Sequence, residues 1–152
     1  MRGGTVIDEA RHLAQLNIAL MREPADSPVM ADFFANIDRI NALAESAPGF
    51  VWRLKGDPPV NPFGANALVN LSVWRGVEAL SDFVHKSGHM DIMRRRREWF
   101  ARQPEATLVL WWVPAGHEPS VEEAADRLEQ LRREGPTASA FTFATHHLKV
   151  TP

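Results

Sequence analysis

The chain contains no cysteine, which excludes disulfides, thiolate nucleophiles, iron–sulfur clusters and Cys-ligated zinc. Tyrosine is absent too. Neither charge dominates: 17 Lys and Arg stand against 19 Asp and Glu, and the net charge of −2 offers no overall attraction to nucleic acid or to an anionic membrane. No apolar run approaches the roughly 18 residues a membrane span requires. Residues Met1 to Ala10 lack the apolar h-region of a secretory signal, so a cytoplasmic location is expected. There is no Gly-x-Gly-x-x-Gly, no P-loop, no Gly-x-Ser-x-Gly and no metalloprotease signature, which argues against a nucleotide cofactor. No internal repeat is present.

What remains is an ordinary globular composition, 152 residues with 45% apolar. A chain of this size buries about 68–70% of its unfolded surface, enough for one core without metal or disulfide staples. One domain over residues 12–143 is expected, with loose termini at 1–11 and 144–152.

Between His12 and Met21 the even positions Ala14, Leu16, Ile18 and Leu20 are aliphatic, while Gln15 and Asn17 occupy odd ones. This period of two predicts a strand. Ser27-Pro28 supplies an N-cap and a proline at N1. Met30, Phe33, Phe34, Ile37, Ile40, Asn41 and Ala44 then recur at helical spacing up to Pro48-Gly49, predicting a helix over about 28–46. Phe50–Lys55 and Ala67–Trp74 read as a long-looped hairpin. A short helix around Val77–Val84 and a second helical pattern over about 89–102 follow. Thr107–Val113 is a strand apolar at nearly every position, hence covered on both faces. Ser120 and Glu123 form a capping-box pattern before a helical stripe of Val121, Ala124, Ala125, Leu128 and Leu131 closed by Gly135-Pro136. A last short strand over Ala140–Phe143 is possible on pattern.

Without the final helix and strand the order is βαββαβ, an α+β ferredoxin-like sandwich. Helices on one side would leave one sheet face bare, and a second copy of the chain is the simplest cover. A homodimer paired through Leu16, Ile18, Leu20, Val69, Leu71 and Val73 is therefore expected.

The opposite sheet face mixes amides with aromatics. Asn17, Asn70, Ser72 and Trp74 line it, either as a solvated surface or as the floor of a pocket. Trp74 favours the pocket, since a buried indole N–H wants a partner. On a continuous helix from His89, Met93, Arg96 and Phe100 fall within about 40° of that histidine, with Trp99 on the flank. The run Arg94–Arg97 is thereby mostly a solvated face. Arg96 is its inward exception, held either by an ion pair with Glu45 or Asp38 or serving as an anion clamp. His89 is either a satisfied core histidine or a general base, its imidazole titrating near neutrality. His85 four residues earlier makes a His-x-x-x-His spacing, but Gly88 interrupts the helix and no third ligand is close in sequence, so no metal site is expected. Asn41 lies on the apolar stripe of the first long helix. His117, in the loop before the last helix, reads as a surface residue.

At Ile40–Ala44, Pro48–Leu54, Val69-Asn-Leu-Ser-Val-Trp74, His89 with Arg95-Arg-Arg-Glu-Trp-Phe100, and Leu110-Trp-Trp-Val-Pro-Ala-Gly-His117, the chain resembles an uncharacterised bacterial family. That family is similar to the antibiotic-biosynthesis monooxygenases of the dimeric α+β barrel superfamily. The resemblance implies homodimers with a shared barrel, and a pocket between sheet and helices in each subunit. It also implies cofactor-free oxygenation of an aromatic substrate by Asn, Trp, Arg and His. The haem-degrading relatives have an Asn on the first strand and a helical His that binds iron; Asn17 looks like the former, and His89 matches the latter only with a gap. Their helical Trp is matched by Phe83 at best.

The expected function is a cofactor-independent monooxygenase-like enzyme acting on an aromatic or polyketide-like compound. His89 removes a proton; Arg96 and the Asn17 and Asn41 amides stabilise the enolate. Trp52, Asn70, Ser72, Trp74, Phe83, Met93 and Trp99 line the substrate. The alternatives are a haem protein ligated by His89, an isomerase or cyclase, and a non-catalytic carrier of hydrophobic ligands.

Overall fold

The computed structural model describes residues 10–56, 58, 60–86 and 94–146. Four strands, β1 (Arg11–Leu20), β2 (Phe50–Arg53), β3 (Ala67–Trp74) and β4 (Leu108–Pro114), form one antiparallel sheet in the order β2-β3-β1-β4. The helices are α1 (Pro28–Glu45), α2 (Val77–Lys86), α3 (Arg96–Trp99) and α4 (Val121–Glu134), with a 3-10 turn at Phe143–Thr145. This is the ferredoxin-like α+β arrangement expected from the order of elements, with α4 appended.

The period of two in β1 becomes two different faces. Leu16 is paired with Leu71 on one side and Val109 on the other, so alternate residues of three strands share a surface. Ala14, Leu16, Ile18, Leu71, Val73, Val109, Trp111 and Val113 make that surface, and Val121, Ala124, Leu128 and Leu131 of α4 are packed against it. The expected twin subunit is thus not what covers the aliphatic face; α4 of the same chain does. Ser27 accepts the Met30 amide at the start of α1, and Ser120 accepts the Glu123 amide at 3.0 Å at the start of α4. The reciprocal half of the expected capping box is missing, because the Glu123 carboxylate is taken by Trp111 and His117.

The other sheet face carries α1, α2 and α3. Leu13, Trp74 and Leu110 meet Ala44, Leu80 and Phe141, while Met30, Phe33 and Ile40 of α1 gather around Trp99. β4 is therefore covered on both faces, as its unbroken apolar run requires. The predicted last strand reduces to isolated bridges, Leu110 with Phe141 and Thr137 with Ala140. The helical pattern of 89–102 is interrupted at Arg95, a turn between the helical Arg94 and the single turn α3; residues 89–93 lie outside the described ones. The exit of α3 is pinned by Ala101 N–H to Leu20 O and by Arg22 N–H to Trp99 O. No described helix is long and apolar enough to cross a membrane.

Candidate functional site

β2 has four residues and β3 has eight, so the ladder between them stops early. Its last rungs are Arg53 with Ser72 and Leu54 N–H to Leu71 O. Beyond them the Ala67–Asn70 half of β3 has no strand on that side among the described residues, and the α1 stripe faces it. A cleft of about 150 Å³ opens there, walled by Phe33, Phe34 and Ile37 of α1 and by Leu68 of β3. Three polar side chains reach it: Asn41 of α1, Asn70 of β3 and Arg53 at the end of β2. Outside lies an open trough of about 560 Å³ along Glu45, Phe50, Val51, Trp52, Arg53 and Lys55. The trough is larger but is surface relief. The cleft has apolar walls and converging polar groups, the combination that binds small molecules. Arg53 borders both.

Arg53 reaches the helix side because of a bulge. The register shifts between Phe50 and Trp52, so that Phe50 sits opposite Trp74, Trp52 opposite Val73 and Arg53 opposite Ser72. Arg53 Nε donates to Glu45 Oε2 at 2.8 Å, and Nη1 donates to Leu54 O at 3.3 Å. The hydrogen bond from Arg53, before any other influence, holds the Glu45 carboxyl below its ordinary range. Lys55 Nζ stands 3.5 Å from the same carboxylate oxygen.

A polar network braces Asn70 from behind. Gln15 Nε2 donates to Asn70 Oδ1 at 3.0 Å and to Ser72 Oγ at 2.8 Å. Ser72 Oγ also accepts Trp74 Nε1 at 2.9 Å. Gln15 and Ser72 are buried polar side chains, so the network satisfies groups that would otherwise be stranded. Trp74 thereby finds the partner its burial demands, but it is 1% exposed, stacked on Phe83 and met edge-on by Phe50, in the core and not in the cleft. Asn17 lies opposite Asn70, half-buried, and its amide makes no hydrogen bond among the described residues.

The remaining expected site residues disperse. The bulge sends Trp52 to the α4 side of the sheet, where it packs against the aliphatic cluster. Phe83 and Trp99 pack in the helix-side core. Arg96 is exposed, and neither Glu45 nor Asp38 pairs with it among the described residues. The inward expectation for Arg96 assumed one continuous helix through 89–102; α3 is a single turn with its own phase. Its neighbour Arg95 takes the packed position, 4.6 Å over the Trp99 ring and bonded to Asp32 and Glu98. Those two carboxylates raise the Arg95 pKa, and Arg95 in return lowers that of Glu98. His89 and Met93 lie outside the described residues. His85 is exposed and bonds Ser81 within its own helix. His117 is on the surface, 2.7 Å from Glu123 Oε1 on the α4 side, away from the cleft. Among the described residues no group of His, Asp or Glu is arranged to hold a metal.

Sequence reasoning missed Arg53, Glu45 and Gln15. A signal existed for the first two: Arg53 and Lys55 are the only cations of the β2 segment Phe50–Lys55, and Glu45 ends the helix directly before it.

The chain matches one family, a domain of unknown function designated DUF3291, over residues 12–151. It is a DUF3291 protein. No curated protein matches its sequence. Two solved structures are similar to this DUF3291 chain at low identity. SnoaB, a cofactor-independent oxygenase from Streptomyces nogalater, is 18% identical with a TM-score of 0.49, over 71% of this chain and 96% of that one. The NE2512 protein of unknown function from Nitrosomonas europaea is 15% identical with a TM-score of 0.46, over 74% of this chain and 98% of that one.

Proposed function

We propose that this DUF3291 protein is a small-molecule enzyme of the cofactor-independent monooxygenase type, acting on an aromatic compound that places one ring in the cleft between α1 and β3. The observation that supports this reading is the convergence of Arg53, Asn41 and Asn70 at one end of an aromatic-walled cleft. Phe33, Phe34 and Ile37 suit a ring, and fixed N–H donors suit the oxygen of an enolate or phenolate. Donors fixed before the charge develops need no reorganisation, which makes such stabilisation a large catalytic contribution. His89 is our candidate for the base that removes the proton; the resulting electron-rich anion then reacts with dioxygen. In this scheme Asn41 keeps its role, Asn70 moves from lining the substrate to donating to the anion, and Arg53 takes the role given to Arg96.

Oxygen consumption with a panel of enolisable aromatic ketones and polyhydroxylated aromatics, in the presence of a chelator, tests the proposal. Substrate-dependent uptake that falls about 10²-fold or more in Arg53→Gln is the expected result. Saturable binding without uptake would leave a ligand carrier, the second reading. That reading is favoured by one observation: no His, Asp or Glu is among the described residues lining the cleft.

A further inference from the structure

We infer that the ligand of this cleft is a single-ring aromatic carboxylate, its ring between Phe33, Phe34 and Leu68 and its carboxylate on Arg53 at the junction with the outer trough. The inference rests on the cleft being a ligand site, as proposed above, and adds the chemical class of its occupant.

Size comes first. A cavity of about 150 Å³ with apolar walls accommodates a benzene ring, and the cleft has that volume. Among the described residues Arg53 is the one that lines both spaces, so a group on a ring in the cleft meets the trough beside Arg53. Charge comes next. At this border two cations, Arg53 and Lys55, converge on one oxygen of Glu45, at 2.8 and 3.5 Å. The local balance is two positive charges to one negative, and a single further carboxylate completes it. Geometry agrees. Glu45 occupies Nε of Arg53 and the Leu54 carbonyl draws on Nη1; a guanidinium has five N–H donors in a planar fork, so Nη2 keeps both of its own. A planar fork is matched best by a carboxylate or another planar oxyanion. Arg53 is also only 22% exposed, so its interaction with an anion is less screened than that of a surface lysine. Glu45 is then a positioning residue: it fixes the plane of the guanidinium and competes for it.

Isothermal titration with phenylacetate, benzoate and the uncharged isostere phenylacetamide tests this. Wild-type protein is expected to bind a carboxylate at least about tenfold more tightly than the amide, with affinity falling as salt rises. Arg53→Gln is expected to erase that preference, weakening the carboxylate more than the amide. Glu45→Gln, which removes the competitor and leaves both cations, is expected to tighten carboxylate binding and not amide binding. Equal affinity of wild type for acid and amide would overturn the acid inference and leave the cleft as a ligand site. Binding of neither, by protein whose thermal unfolding is cooperative, would overturn the cleft reading itself. Should Arg53→Gln not fold, the acid-to-amide ratio of wild type and of Glu45→Gln decides the matter, since Glu45 is at the surface.

Discussion

Replacing Leu128 by alanine tests whether the aliphatic sheet face is covered from within the chain. Leu128 is 1% exposed and lies under α4 against the cluster of Leu16, Leu71 and Trp111. The change deletes three carbons. At about 0.8 kcal/mol per buried methylene the transfer loss is about 2.4 kcal/mol, and an unfilled cavity brings the total to about 3–4 kcal/mol, within the range of buried Leu-to-Ala changes. For a chain of this length each kcal/mol lowers Tm by roughly 2–4 °C, so a fall of about 6–16 °C is expected. Differential scanning calorimetry at two protein concentrations a hundredfold apart supplies the assay. Because α4 covers the face in cis, the fall is expected to be the same at both. A loss below about 1 kcal/mol, or a Tm that climbs with concentration in wild type and not in the variant, would mean that a second copy and not α4 seals this face.

Three further outcomes follow from the same physics. Burial raises the Glu123 pKa, but the hydrogen bonds from His117 and Trp111 outweigh it and the net shift is downward; the carboxylate thus stabilises the fold above its unfolded pKa, and this contribution drains away as pH falls through the lowered value. Urea unfolding between pH 7 and pH 3 is expected to show a steeper acid loss in wild type than in Glu123→Gln, and parallel curves would refute the assignment. Gly49→Ala should destabilise by roughly 1–3 kcal/mol, because Gly49 has φ of +85° and an added Cβ would lie 2.4 Å from the Ala79 Cβ; a neutral result by thermal unfolding would contradict the close approach. Ser72→Ala strands the Trp74 indole N–H and leaves Gln15 with only its Asn70 acceptors, with an expected loss of about 1–3 kcal/mol and a shift in tryptophan emission; an unchanged spectrum and Tm would dismiss the network.

Most of the fold was legible because its signals are local. The alternation in β1 and β3, the Ser27-Pro28 start of α1 and the Ser120 cap of α4 each sit within a few residues of what they specify. What was illegible depends on contacts far apart in sequence. The stripe Val121, Ala124, Leu128, Leu131 announces an amphipathic helix but not which surface it meets, so a twin was expected where α4 lies. The phase of a helix is readable only if its continuity is known: starting the count at His89 turned Arg96 inward, and the single turn α3 gives that place to Arg95. The candidate cleft depended on one extra residue. The bulge at β2 moves Trp52 to one face and Arg53 to the other, and a one-residue slip inverts every assignment that follows. Asn41 and Asn70 lie on regular elements, so periodicity alone placed them on the faces they occupy.

The placement of α4 also bears on how the protein is born. β1 is flanked by β3 and β4, and among the described residues the face shared by all three is covered chiefly by residues 121–131. A ribosome adding about 5–20 residues per second therefore leaves the paired β1 and β3 with an open aliphatic face for several seconds before their cover exists. During that interval the nascent sheet is a substrate for any chaperone that binds apolar surface, or for another nascent copy. A chain truncated ahead of Val121 would be frozen at that stage, keeping four strands' worth of sequence and none of the solubility, so quality control has to recognise its product by an exposed sheet and not by a missing cleft.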